Sequence, residues 1–443
     1  MISIGNFSFR KSGLISLIIP ESVSSVGNEV FSHCNNLTSV NIFGNISSFG
    51  TGVFSYCKNL KTVNISGNIN TIGVSTFSSC TSLTTMVLSD HITSIGSCAF
   101  MGCRSLETIN IPESVSFIGR SAFSDCSSLT SITIPSNVEV IEYGAFKSCS
   151  KLESIEVDIT NPYFESIDGV LMNKVNKSLV QYPAGRKDYR YTVPSNITSI
   201  ILYAFYESKQ LKSLIIPDSV TSIGQRAFCY CTGLTSVVLP SNLTLIQSYT
   251  FYFCSGLVSI TIPPNVVSIN EKAFACCDGL TSISIPSSVE SIDNNAFFYC
   301  ENLQSIVYLG NSDPYPMSGR QPPFDGCDSL KYICVPSDYR NSSFCGVYGV
   351  SLSKVVTTEE YNNMTNHCFE AVCLGNEIGQ KQRMNASEWI NRTNGCIAYE
   401  CDNTTGRVSR NKCKDDMICF NDTECVGEDE MTNKTWTVVI EKK

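Results

Sequence analysis

The stretch AFSDCSSLTSITIPSNV (Ala122 to Val138) decides the fold, because most of the chain repeats it. Aligned on Phe123, its relatives stand at Phe31, Phe54, Phe77, Phe100 and Phe146, each 23 residues from the next, and after a break at Phe205, Phe228, Phe251, Phe274 and Phe297. Three residues after every one of these except Phe205 comes a cysteine: Cys34, Cys57, Cys80, Cys103, Cys126, Cys149, Cys231, Cys254, Cys277 and Cys300. Three further on comes a leucine, as at Leu37, Leu129 and Leu303. A weaker unit opens the chain at Phe9 and Leu14, and a late one stands at Phe324, Cys327 and Leu330. A fixed period in this range marks a stack of like coils, none of which buries its apolar side alone.

The unit reads physically. Leu129 to Ile134 ends in alternating β-branched residues, so it is a short strand with Ile132 and Ile134 inside and Ser131 and Thr133 outside. Pro135 has no N–H for a ladder and ends the strand. Val138 and Ile141 then return inward, and Tyr143 to Cys149 makes a tight turn around Phe146. A glycine often follows the inward pair (Gly27, Gly50, Gly73, Gly96, Gly119, Gly224), with Asn270, Asp293 or Ile201 in its place elsewhere. That set predicts a preference for left-handed backbone there. Thirteen coils stacked at the spacing of parallel strands make a rod about 60 Å long.

From Phe146 to Phe205 is 59 residues, a repeat plus 36. Within it, Gly169 to Pro183 has two apolar runs around a polar turn and reads as a β-hairpin. The insertion, about residues 158–193, is either a structural interruption bulging from one edge or a recognition loop. Lys174, Lys177, Arg186 and Lys187 make its tip a basic cluster on an acidic protein.

The unit LTSIxIPxxVxxIGxxAFxxC resembles the BspA-like class of leucine-rich repeats, over about residues 1–356 with a capping coil at about 331–356. The resemblance implies an α/β-type but mostly β repeat: a right-handed solenoid of about 13 coils with a parallel sheet and one hairpin insertion. It also implies a surface or secreted protein of the kind found in anaerobic bacteria and parasitic protists, adhering to host or matrix components. Spacing alone shows only the solenoid.

The 23 cysteines fall into two populations. Eleven, from Cys34 to Cys327, occur once per coil and form a line; metal ligands must converge on a point, so these are expected to be free thiols acting as small core hydrophobes. Cys98, Cys229 and Cys276 are extras, and Cys334 is placed to pair with Cys345. In residues 357–443 apolar periodicity stops and cysteines follow at Cys368, Cys373, Cys396, Cys401, Cys413, Cys419 and Cys425. With Cys345 they make eight, read as a disulfide-stapled module whose pairing spacing does not choose. This tail is faintly similar to Cys-rich repeats of slime-mould extracellular matrix proteins. Glycosylation sequons after position 340 stand at Asn341, Asn363, Asn385, Asn391, Asn403, Asn421 and Asn433, which supports an outside location.

The net charge of −9 argues against nucleic acid and anionic membrane as partners. No apolar run approaches the roughly 20 residues of a transmembrane helix. The opening MISIGNFSFRKSG lacks the regions of a secretory signal, and because it begins inside a repeat we expect the natural start to lie upstream. His33, His91 and His367 are the only histidines, and none sits in a metalloprotease motif; a nucleophile elbow and a phosphate loop are also missing. We therefore expect neither enzyme activity, metal nor cofactor. The candidate contact surface is the outward strand ladder of a concave face: Thr108, Asn110, Ser131, Thr133, Ser154, Glu156, Ser236, Ser259, Thr261, Ser282 and Ser284. Turn aromatics Tyr56, Tyr230, Tyr252 and Tyr299 form a second stripe, expected to pack partly between coils. The leading expectation is a non-enzymatic cell-surface or secreted protein binding protein or glycan ligands. The alternatives are an intracellular, cytoplasmic scaffold and an antigenically variable surface protein without a fixed ligand.

Overall fold

A computed structural model describes residues 2–315, 321–336, 339–341 and 344–347, together with the backbone of strands Ser351–Lys354, Ile397–Asp402, Arg407–Lys412, Ile418–Cys419, Glu424–Asp429 and Lys434–Val439. The repeats stack in parallel with a 23-residue register. Strand Ser131–Ile134 pairs in parallel with Ser154–Val157, each residue with the one 23 positions on: Ser131 with Ser154, Ile132 with Ile155. The same register joins Ser39–Ile42 to Thr62–Ile65 and Ser213–Ile215 to Ser236–Val238. Inward and outward positions fall as the alternation requires: Ile132 and Ile134 are buried, Ser131 and Thr133 exposed. Pro135 stops the strand, and its carbonyl then accepts the Val138 N–H, closing a turn that sends the chain across the coil.

A second row of parallel strands lies where only an inward Val/Ile pair was expected. Ser94–Ile95, Phe117–Ile118 and Val140–Ile141 pair side by side, two residues each. Strands this short leave no period to detect. Among the described residues there is no helix, so the α part of the expected class drops out and the solenoid is β throughout.

The core is a file of rings. Phe31, Phe54, Phe77, Phe100, Phe123 and Phe146 stack with centroids 5.3 to 5.7 Å apart, and Phe228 to Phe297 with centroids 5.1 to 5.2 Å apart. Most ring residues are tied to the next coil through the backbone, as when the Phe123 N–H donates to the Ala145 carbonyl at 2.8 Å.

The left-handed residues are not the glycines predicted. Gly27, Gly50, Gly73, Gly96, Gly119 and Gly224 have ordinary φ, as do Asn270 and Asp293. Positive φ falls instead two residues before and two after the ring, at Ser75 and Ser79 around Phe77 and at Ser121 and Asp125 around Phe123. The glycines answer a different constraint, backbone clearance. A Cβ on Gly50 would lie 2.3 Å from the carbonyl carbon of Gly27 one coil back, and one on Gly119 would lie 2.5 Å from the Ser97 nitrogen.

The insertion hides a coil. Tyr182 stands 23 residues before Phe205, its N–H donates to the Ala204 carbonyl, and its ring stacks on Phe205 at 5.0 Å. With Phe9 and Phe324 at the ends, fourteen rings mark fourteen coils. The added residues form an antiparallel meander, Phe164–Ile167, Val170–Asn173 and Ser178–Gln181, whose last strand joins Ser199–Ile200 in parallel. It carries one strand more than the expected hairpin, turned at Asp168–Gly169 with both residues at positive φ.

The meander is no edge bulge. Phe164, Leu171 and Val180 pack into the core of the first half, while Val170, Met172, Leu179 and Tyr182 pack into that of the second. Alternate side chains of one small sheet thus face two separate cores. Asn161 anchors its entry: its Nδ2 donates to the carbonyls of Pro135 and Val138, and its Oδ1 accepts from the N–H groups of Tyr163 and Phe164.

Candidate interaction surface

The strand ladder presents its predicted residues outward. Thr108, Asn110, Ser131, Thr133, Glu156, Ser259, Thr261 and Ser282 are exposed, and Ser154, Ser236 and Ser284 are half-buried. The parallel register sets Ser213, Ser236 and Ser259 in one row and Asn41, Asn64 and Val87 in another. The face is uncharged over most of its length, and small hydroxyls and amides meet a partner through many shallow contacts, not one anchor.

The face is interrupted at the insertion. Strand Ser154–Val157 ends one stretch of sheet and Arg190–Thr192 begins the next. Between them the Ile155 N–H donates to the Gly169 carbonyl at 2.9 Å. Charge concentrates here, but not as one basic cluster. Lys174 and Lys177 lie exposed in the turn after strand Val170–Asn173, and Lys174 donates to the Asn161 carbonyl. Arg186 sits at the other end of that strand, donating to the Asp168 carbonyl and paired with Asp188 at 2.6 Å. Lys187 pairs with Glu153 at 2.7 Å. Two of the four cations therefore already hold carboxylates of this chain.

Beside Arg186 lie two phenols with buried hydroxyls. Tyr182 is 1% exposed, its ring centroid is 5.0 Å from that of Tyr191, and neither hydroxyl makes a well-formed hydrogen bond, although Arg186 and Asp188 both act on the Tyr182 phenol. Burial pushes the Tyr182 phenol up to about 12. The carbonyl of Tyr182, which by the pattern of the other coils awaits a thiol, is taken by the Gln181 side chain at 3.0 Å. Ser208, at the cysteine position, is left with a buried unpartnered hydroxyl.

That pattern concerns the repeat cysteines. All eleven are free thiols, and their role exceeds filling space. Each S–H donates to the ring residue's carbonyl one coil back: Cys80 to Phe54 at 3.2 Å, Cys126 to Phe100 at 3.2 Å, Cys277 to Phe251 at 3.1 Å. Spacing did not reveal this, because the acceptor lies in the preceding coil. Burial drives Cys80, Cys103, Cys126, Cys149, Cys231, Cys254, Cys277 and Cys300 upward, to about 12 for Cys103 and Cys149, which keeps them protonated and unreactive; Cys34 at the open end is instead lowered to about 6 by its hydrogen bond with Cys57.

Cys345 overturns two expectations. It is a buried free thiol, so it neither pairs with Cys334, which is not among the free thiols, nor joins the tail's set of eight. It packs in the core of the second half, and its N–H donates to the Asp313 carboxylate at 3.1 Å. The other disulfide candidates, Cys368, Cys373, Cys396, Cys401, Cys413, Cys419 and Cys425, lie outside the residues whose side chains are described, as do Asn363, Asn385, Asn391, Asn403, Asn421 and Asn433. Asn341 is exposed and accepts the Asp313 N–H.

Titratable groups do not converge. His33 stacks on Tyr56 at 4.7 Å, its basicity lowered by burial and then by Arg10 and Lys11. Among the described residues no three His, Cys, Asp or Glu side chains gather as metal ligands, and no helix is long and apolar enough to cross a membrane.

Similarity to known proteins follows the repeats. The BspA type leucine rich repeat region, in six copies, matches residues 1–90, 71–171, 189–308 and 321–385. No curated protein matches the chain. Among solved structures, a leucine rich cell surface protein of Faecalibacterium prausnitzii is 28% identical, with 75% of this chain and 82% of that one covered and a TM-score of 0.58. The pneumococcal vaccine antigen PcpA, 20% identical, covers 80% of this chain and 76% of its own at a TM-score of 0.50, a likeness of fold. Matched over most of its length by the repeat its own ladder of rings and thiols displays, the chain belongs to the BspA type leucine-rich repeat family.

Proposed function

We propose that the protein is a non-enzymatic interaction module of the cell surface or secreted space, adhering to protein or glycan ligands of other cells or matrix. The observation that carries this is the long exposed ladder in fixed register, a surface of many small polar groups suited to repeated weak contacts. A relative described as a cell surface protein supports the location. In this reading the insertion cations Lys174 and Lys177 add a local contact, and the tail is an oxidised, glycosylated extracellular module. The test is binding of the purified chain to host cells and to immobilised matrix proteins. Saturable binding, lowered by charged substitutions at Thr133 and Ser259, is expected; no binding to any of them refutes adhesion.

A second reading is an intracellular scaffold: fifteen cysteines among the described residues are free thiols, as in a reducing compartment, whereas Cys334 is disulfide-bonded. Counting thiols in denaturant decides. Oxidised tail cysteines place the chain outside, and a full set of free thiols places it inside.

A further inference from the structure

The left-handed turn positions change in character along the chain, with Phe7, His33 and Tyr56 among them at its start. In the first half they are held mainly by Gly, Ser and Asp, as at Gly52, Ser75, Gly102, Ser121 and Asp125. Between residues 203 and 299, five of the ten are aromatic: Tyr203, Tyr230, Tyr249, Phe253 and Tyr299. A bulky side chain at φ near +60° is sterically disfavoured. The coils between residues 75 and 148 are built without it, their left-handed positions holding only Ser, Gly, Asp and Cys, so the fold does not require these rings. Strain retained where the fold has no use for it points to a function.

The rings form one surface with cations laid on it. Tyr230 stacks on Phe253 at 5.1 Å, and Tyr252 meets both edge-on. The Arg226 guanidinium lies 4.4 Å from the Tyr249 ring centre, and Lys147 Nζ lies 4.7 Å from that of Tyr203. The nearby Lys272 faces Glu271, and Lys209 faces Glu207, each at 3.9 Å. Among the described residues Lys147 and Arg226 have no carboxylate in ion-pair range, in a chain of net charge −9. The Tyr230 and Phe253 faces cover each other, leaving edges and hydroxyls outward, which suits a peptide better than the flat face of a sugar. The two free cations reach rings roughly two coil spacings apart, about 10 Å, the span of three residues of extended chain.

We propose that the turn face between residues 203 and 299 docks an extended acidic polypeptide segment, with carboxylates about three residues apart and apolar side chains between them. This deepens the interaction role above and rests on it. The probe is a glutamate–tyrosine copolymer binding the full chain, compared with polyglutamate and heparin by fluorescence anisotropy. The copolymer should bind tighter than either, and Lys147→Glu with Arg226→Glu should weaken it about tenfold or more. Tyr249→Ser with Phe253→Ser, which installs the first half's residue type, should weaken it similarly without lowering the melting temperature; Arg104→Glu on the first half should leave it unchanged. Copolymer binding indifferent to all four substitutions overturns the proposal. So does heparin binding tighter at the same residues, which would make this an acidic-glycan site. If the charge-reversed variant adheres to cells like the parent, the surface assignment falls and the adhesive role stands; a parent chain that binds neither cells nor copolymer removes both.

Discussion

Tyr182→Phe should stabilise the protein, contrary to the usual effect of a core substitution. Tyr182 fills a ring position that phenylalanine holds in every other coil, and its buried hydroxyl makes no well-formed hydrogen bond, although Arg186 and Asp188 lie near it. Leaving such a group dry costs about 1–3 kcal/mol. Removing the oxygen keeps the 5.0 Å stack on Phe205. The Arg186 guanidinium 5.4 Å from the ring centre loses little by facing phenylalanine, at most about 0.5 kcal/mol. The net gain is about 1–2 kcal/mol. Tyr182 packs in the second half's core, and that core is separate from the first. A urea melt followed with probes in each half should therefore show the gain in the second-half transition. Tyr191→Phe should act in the same direction and add to it. A destabilised Tyr182→Phe would mean that the hydroxyl has a partner, Arg186 or Asp188 being the obvious ones, and would refute the reasoning.

Two further outcomes test the ladder. Phe123→Ala removes a ring stacked at 5.3 and 5.7 Å on neighbours that the flanking strands hold in place; the cavity cannot close, and a cost of about 4–5 kcal/mol in the first-half melt is expected, where an unchanged midpoint would count against stacking. The buried thiols Cys80, Cys103, Cys126, Cys149, Cys231, Cys254, Cys277 and Cys300 are all raised above the ordinary thiol range. Between pH about 9 and 12 the unfolded chain sheds protons that the folded one keeps, so stability holds below that window and falls steeply through it, which alkaline melts at fixed temperature would measure.

The sequence made the repeat plain where side chains carry the constraint. Phe123, Cys126, Leu129 and Ile132 recur because each must fill the same space. It was opaque where the constraint belongs to backbone. Gly50 and Gly119 look like residues kept for φ, but they are kept because a neighbouring coil leaves no room for Cβ. The truly left-handed sites accept Glu29, Arg226 and Tyr249, so composition cannot mark them. The coil of Tyr182 escaped notice because three of its signals change together: tyrosine replaces phenylalanine, Gly185 stands at the cysteine position, and Asp188 stands at the leucine position. The exposed rows of the sheet were readable from alternation. The split of the insertion's cations between two ends of a strand was not, since linear proximity of Arg186 and Lys174 says nothing of which turn each decorates.

The meander also insulates. Because one of its faces is committed to each stack, a defect that loosens coils on one side meets a wall that the other side continues to support. Coils gained or lost upstream of it would lengthen or shorten that arm alone, leaving the opposite arm's docking face intact and merely shifting its distance from the start of the molecule. A chain built this way can vary its reach without altering the surface its opposite arm presents.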